Sequence, residues 1–331
     1  MNTTKVGIPR ALFYYQYYPL WKTFFEELGA EIVLSDRTTK TIMDEGSKTC
    51  IDEACLPIKI FHGHVMNIKD KVDYLFIPRF TSVSKNEYIC PKFGGLPDMV
   101  RHTIKDLPPI IDTEVNLRKS GKNALKAVYE VGSFFSKDQY KIKRAYKRAL
   151  ESYREFREKI KKGVLPCDIL DKKLRTVKKY DGRNLNIAVV GHGYNLYDRY
   201  ANMNMLDKLI DKGAEIITVD MVDGEIIEKH VQVLPKRLFW NFGRKAVGSS
   251  LYFLDREDID GIIYLMAFGC GVDSFISDLI ERKIRRNKDI PFIILTLDEH
   301  TGEAGMDTRL EAFIDMIRWR YRNEDNVSAY G

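Results

Sequence analysis

Cys55, Cys90 and Cys270 are the residues of this chain best placed to do chemistry. Cys55 stands in Asp52-Glu53-Ala54-Cys55-Leu56-Pro57-Ile58-Lys59, just before a proline and an apolar run. Cys90 opens Cys90-Pro91-Lys92, and Cys270 lies between two glycines in Phe268-Gly269-Cys270-Gly271. A thiol at the start of a helix feels the positive end of the helix dipole, which favours the thiolate and hence metal ligation. Cys50 and Cys167 complete a set of five cysteines. An odd count, with no apolar signal-peptide core in Met1-Asn2-Thr3-Thr4-Lys5-Val6-Gly7, argues against a disulfide framework. The thiols are then free, metal-bound or redox-active, and a cytoplasmic location is expected.

Three dispersed thiolates suit a [4Fe–4S] cluster with one iron left open to water, a substrate oxygen or a weaker ligand. Zinc on three cysteines is the second option, although the local C-x2-C pairs of structural zinc sites are absent. On spacing alone, ordinary buried cysteines fit equally well.

The elements that must position these thiols alternate strand and helix. Strands are expected at Lys5–Pro9, Glu31–Leu34, Val72–Pro78 and Pro109–Asp112, and again at Leu185–Val190, Glu215–Val219, Gly261–Ala267 and Pro291–Leu297. Helices are expected at Leu12–Leu28, Thr38–Glu45, from Pro57 to about Lys69, and at Leu96–Ile104. In the second half they fall at Asp198–Lys212, twice within Glu225–Asp255, at Val272–Asn287 and at Met306–Arg322. Gly46 reads as a helix stop, the stretch from there to Asp52 as a short strand, and Thr81–Pro91 as a loop. Alternation of this kind builds parallel sheets covered by helices. The expected fold is α/β, with two doubly wound parallel-sheet (Rossmann/flavodoxin-like) domains joined by a helical segment. The boundaries are 1–120, 121–183 and 184–331. All three thiols map to the carboxyl edge of the strands, where ligands bind in open α/β sheets.

Residues Asn123 to Lys162 are helical, with a break near Gly132, and Gly163 to Arg183 read as a connecting segment. Ile142, Tyr146, Ala149, Tyr153, Phe156 and Ile160 form one apolar stripe. Lys137 to Lys162 hold eleven Lys/Arg against four Asp/Glu, which accounts for the whole net charge of +6. The rest of the chain is close to neutral, so a nucleic-acid partner is not expected. The basic helix reads first as a packing or homodimer element with a solvated face, and second as a dock for an acidic partner or the anionic groups of coenzyme A. With 331 residues, 44% apolar and 30% charged, the chain is long enough for two cores. No apolar run approaches the roughly 20 residues that span a bilayer.

Other polar residues have functional and structural readings. His300 and Glu303 follow the strand Pro291–Leu297, together with Asp298 and Glu299, and form a candidate acid/base pair; helix capping and domain bridging is the alternative. His62 and His64 are two apart and so face different ways on a helix. One of them is a candidate fourth ligand, and structural hydrogen bonding is the simpler role. Cys50 is an alternative ligand or a buried thiol. Gly191-His192-Gly193-Tyr194 is a weak phosphate-loop signal or a tight turn. Lys59 and Lys92 either offset thiolate charge or are surface residues.

Several motifs together resemble one family. They are Gly7-Ile8-Pro9-Arg10, the Cys55 segment with Phe61-His62-Gly63-His64, and Cys90-Pro91-Lys92-Phe93 with Gly95-Leu96-Pro97-Asp98. To these are added Phe268-Gly269-Cys270-Gly271-Val272-Asp273-Ser274 and Leu297-Asp298-Glu299-His300-Thr301-Gly302-Glu303-Ala304-Gly305. They resemble the acyl-CoA dehydratase activase-related family, among the relatives of 2-hydroxyacyl-CoA dehydratase and benzoyl-CoA reductase subunits. The resemblance implies a [4Fe–4S] cluster on Cys55, Cys90 and Cys270, paired α/β domains, an anaerobic setting and one-electron chemistry. It also implies a partner, either an ATP-dependent activase or a sister cluster subunit, with an acyl-CoA as candidate substrate; the alternatives to an electron-transfer role are a cluster-dependent acyl-CoA dehydratase or reductase subunit and a non-catalytic partner or scaffold of an activase. No Gly-x4-Gly-Lys-Ser/Thr phosphate loop is present, so a stand-alone cluster subunit is expected.

Overall fold

Lys5-Val6-Gly7-Ile8 is apolar enough to be buried along most of its length, and it forms the first strand of a parallel sheet. The computed structural model describes residues 3–173, 175, 183–287 and 290–328. The chain divides into two units. The first runs to Lys173 and also takes in Lys236–Arg244; the second comprises the remainder.

In the first unit the order is β1 (Lys5–Ile8), α1 (Tyr14–Leu28), β2 (Glu31–Leu34), α2 (Lys40–Thr49), α3 (Leu56–Ile68), β3 (Tyr74–Phe76) and β4 (Arg79–Ser82). Next come α4 (Pro91–Thr103), β5 (Ile110–Ile111), β6 (Glu114–Asn116), α5 (Asn123–Gly132), α6 (Gln139–Lys161) and α7 (Pro166–Asp171). β2-β1-β3-β5 form a parallel sheet, and β4 and β6 pair in a separate parallel ribbon. Its core gathers aromatic side chains: Trp21, Phe24 and Phe25 of α1 pack with Phe76 of β3. The apolar stripe of α6 turns onto α1, where Ile142, Ala149, Phe156 and Ile160 are buried and the Tyr153 ring meets Tyr17. The basic residues of α6 remain on its outer face.

The second unit contains β7 (Leu185–Gly191), α8 (Gly193–Leu196), α9 (Met205–Asp211), β8 (Ala214–Thr218), α10 (Gly224–Val231) and α11 (Asn241–Asp255). α11 belongs to this unit from Lys245 onward. β9 (Gly261–Ala267), α12 (Gly271–Asn287), β10 (Phe292–Leu297) and α13 (Glu303–Ser328) complete it. The parallel sheet runs β10-β9-β7-β8. Counted among the strands of its own sheet, each four-stranded sheet has the order second, first, third, fourth. The α/β class with parallel sheets flanked by helices is thus observed. Among the described residues no helix is long and apolar enough to cross a membrane.

Several local expectations change. Gly46 does not stop α2, which continues to Thr49, because the glycine serves packing: a Cβ there would lie 1.9 Å from the Lys59 carbonyl oxygen of α3. The stretch before Cys55 is therefore helix and turn, not strand. α4 starts at Pro91, whose missing N–H costs nothing in a first turn. Residues 198–204 form turns pinned by Asp198, whose Oδ1 accepts from the Tyr200 and Ala201 amides. The connecting segment contains α7, and much of the rest of it lies outside the described residues.

Candidate functional site

Each of the three candidate cysteines begins a helix. Cys55 and Cys90 occupy the N-cap positions of α3 and α4, each with a proline at the start of the helix. Cys270 directly precedes α12, and its carbonyl accepts the Ser274 amide at 3.0 Å. α3 and α4 each lead back into a parallel strand, so their N-termini stand at the carboxyl edge of the first unit's sheet. Cys270 follows the carboxyl end of β9. All three thiols are partly exposed, whereas Cys50 and Cys167 are buried. Burial pushes the Cys50 thiol up, opposed by the Ile51 amide and by the charges of Lys59 and Lys92. Both lysines therefore lie within electrostatic reach of the turn ahead of Cys55. Lys59 is itself buried, at 5% exposure.

Close by, the first unit carries a half-open aromatic cavity at the carboxyl edge of its sheet. It is lined by Phe13, Tyr17, Phe61, Phe80 and Phe93, with Ile8 and Ile77 at strand ends. Phe61 lies on α3 and Phe93 on α4, so the cavity sits between the helices that begin with Cys55 and Cys90. Phe242 closes against Phe13 and Phe93. It is carried by the segment Lys236–Arg244, which is tied to the loop before Cys90. The Tyr88 amide donates to Phe239 O, and the Asn241 amide donates to Tyr88 O, each at 2.8 Å. Buried Glu87 accepts from Asn241 Nδ2 at 2.6 Å and pairs with Arg244 at 3.2 Å.

His64 has a structural role. Its two ring nitrogens meet Ser35 Oγ at 2.8 Å and Thr38 Oγ1 at 3.0 Å, joining α3 to the chain that follows β2. Burial, helped by the charge of Arg10, lowers it to about 3, so the ring is neutral. His62 is fully buried; its Nδ1 faces Ile58 O at 2.8 Å, and its Nε2 has no hydrogen-bond partner. His300 lies exposed in the turn after β10. Glu303 opens α13 and binds Lys208 at 2.6 Å, an ion pair that fixes α13 to α9.

The second unit brings together residues that sequence spacing did not connect. His192 follows β7, and Cys270 and Asp273 follow its neighbour β9. One ligand atom from each of the three lies within 4.8 Å of the others. His192 Nε2 is 3.0 Å from Asp273 Oδ1, and both side chains are buried. Tyr264 Oη donates to the same oxygen at 2.8 Å, while Asp273 Oδ2 is buried without a hydrogen-bond partner. Burial disfavours a charged imidazole, but the Asp273 carboxylate and a hydrogen bond with Cys270 outweigh it and push His192 up to about 10. Gly191 makes the approach of the two strand ends feasible: its φ is +156°, and a Cβ would lie 2.4 Å from Leu265 O. His192 appeared in sequence only as part of a glycine-flanked turn. Its position after the strand that neighbours the Cys270 strand was the signal, and strand order was needed to use it.

In the first unit Cys55 and Cys90 are partly exposed thiols at helix N-termini, and in the second Cys270 stands beside a buried His–Asp pair; each set by itself suits soft metal ligation. No curated protein matches the chain. Residues 5–222 match the CoA enzyme activase uncharacterised domain (DUF2229) and cover well over half of the chain, which thus belongs to that family.

Proposed function

We propose that Cys55, Cys90 and Cys270 hold a [4Fe–4S] cluster and that the protein is a redox subunit related to 2-hydroxyacyl-CoA dehydratase or benzoyl-CoA reductase chemistry. The observation that carries this reading is the shared setting of the three thiols. Each is partly exposed, at a helix N-terminus and at the carboxyl edge of a parallel sheet. The donor set fits: three thiolates leave one iron of such a cluster open. When bound, the cluster would take up and release single electrons. The helix N-termini would favour the thiolate forms, and Lys59 and Lys92 would offset part of the cluster's negative charge. The strand order of both sheets supports reading each unit as a doubly wound, flavodoxin-like domain. Family membership supports an ATP-dependent activase or a sister cluster subunit as partner.

The aromatic cavity favours a second reading, in which the chain is itself a cluster-dependent acyl-CoA dehydratase or reductase subunit. Phe61, Phe80 and Phe93 would then enclose an apolar acyl group. The first test is iron and acid-labile sulfide per chain after purification without oxygen. Four of each per cluster, lost together on removing any one of the three thiols, is the expected result. Absence of iron even after anaerobic reconstitution overturns the proposal.

A further inference from the structure

We propose that the second unit alone binds a single divalent transition-metal ion through His192, Cys270 and Asp273. The three ligand atoms already lie within 4.8 Å of one another. Metal–ligand bonds of about 2.0–2.3 Å place tetrahedral ligand atoms about 3.5 Å apart, so closure needs side-chain rotation of about 1 Å. Asp273 is 1% exposed, and its Oδ2 has no hydrogen-bond partner. A buried carboxylate oxygen left in that state lacks a cation or donor. Tyr264 holds the other oxygen at 2.8 Å and orients the carboxylate. Cys270 is partly exposed, and a site of three protein ligands takes a water as its fourth.

The mixed nitrogen, sulfur and oxygen set favours zinc, ferrous iron or cobalt over magnesium or calcium. His192 Nε2 can ligate only after losing the hydrogen it donates to Asp273 Oδ1, so binding releases a proton. The inference rests on the proposed function only in treating Cys270 as a metal ligand. It needs neither Cys55 nor Cys90. The two occupants exclude each other at Cys270, so the single ion belongs to chains that carry no cluster.

The test titrates cluster-free full-length protein with Co2+ under reducing, oxygen-free conditions. One ion per chain is expected, with the sulfur-to-cobalt charge-transfer band and the visible bands of four-coordinate cobalt. Cys270→Ser should abolish the charge-transfer band, and Asp273→Asn and His192→Gln should each weaken binding by at least about tenfold. The Cys55→Ser/Cys90→Ser double variant should bind unchanged. Zn2+ should raise the melting temperature of wild type but not of Cys270→Ser, a readout that holds even if a buried-site variant folds poorly. Failure of wild type to bind Co2+, retention of the band in Cys270→Ser, or dependence on Cys55 and Cys90 overturns the inference. The cluster proposal is judged separately, by iron and sulfide that require Cys55 and Cys90.

Discussion

Gly46 of α2 packs directly on the backbone of Lys59 in α3; a single added methyl group would sit 1.9 Å from the Lys59 carbonyl oxygen. Gly63 makes the reciprocal contact, where a Cβ would lie 1.8 Å from Ile42 O. Backbone cannot yield as a side chain can, so Gly46→Ala must separate the two helices. The expected cost is about 3 kcal/mol or more, at the upper end for overpacking. Since α3 begins at Cys55, the same change should lower iron content in anaerobically purified protein. Denaturant melts with iron assays check both effects, and wild-type stability in Gly46→Ala would contradict the packing geometry.

His64 makes stability sensitive to acid. The imidazole is lowered to about 3 in the folded protein from its ordinary 6.5, chiefly by burial. The unfolded chain therefore binds a proton that the folded protein rejects. This contribution is fully present above about pH 6.5, declines as pH falls, and is exhausted near pH 3. At about pH 5.5 it should amount to a loss of about 1.4 kcal/mol. His64→Gln retains polar atoms toward Ser35 and Thr38 but does not titrate. Its unfolding free energy should fall less steeply than wild type between pH 7 and about 5; identical slopes would place the titration elsewhere.

The sequence made the broad fold legible because strand and helix signals are local. β1, β2, β7 and β9 appear within a residue or two of their observed ends, and so do the helix starts at Cys55 and Cys270. Gly46 was misread because a glycine that ends a helix and one that lets two helices touch look alike in one dimension. The ribbon of β4 and β6 went unseen because each strand is short and its partner is distant. The same limit hid the His192–Asp273 pair. Asp273 stands beside Cys270 in sequence, but His192 comes to it only once β7 and β9 lie side by side.

Glu87 anchors a segment distant from it in the chain. The carboxylate is 8% exposed and holds Asn241 and Arg244 on the segment Lys236–Arg244. Glu87→Ala removes these contacts from a buried setting and should destabilise the first unit by about 3 kcal/mol. It should also speed trypsin cleavage at Lys236 and Arg237 under native conditions. Limited proteolysis followed by mass spectrometry reads this directly, and an unchanged cleavage rate would show that the backbone bonds of Tyr88 hold the segment unaided.

The five cysteines should separate into two classes in anaerobically purified protein. Cys55→Ala, Cys90→Ala and Cys270→Ala each remove a partly exposed thiol at a helix start, and each should lose most iron and sulfide together. Cys50→Ser and Cys167→Ser alter buried thiols and should keep the wild-type content. Cys50 is the sharper control, because Lys59 and Lys92 act on its thiol. If proximity to those cations were enough to make a ligand, Cys50→Ser would lose iron as well. Burial argues otherwise, since it favours the neutral thiol, and ligation requires the thiolate. Iron and sulfide analysis of all five variants, with melting temperatures to exclude unfolding, distinguishes the cases. Loss confined to Cys55, Cys90 and Cys270 fits three-thiol ligation, and loss in Cys50→Ser would move the ligand set within the first unit.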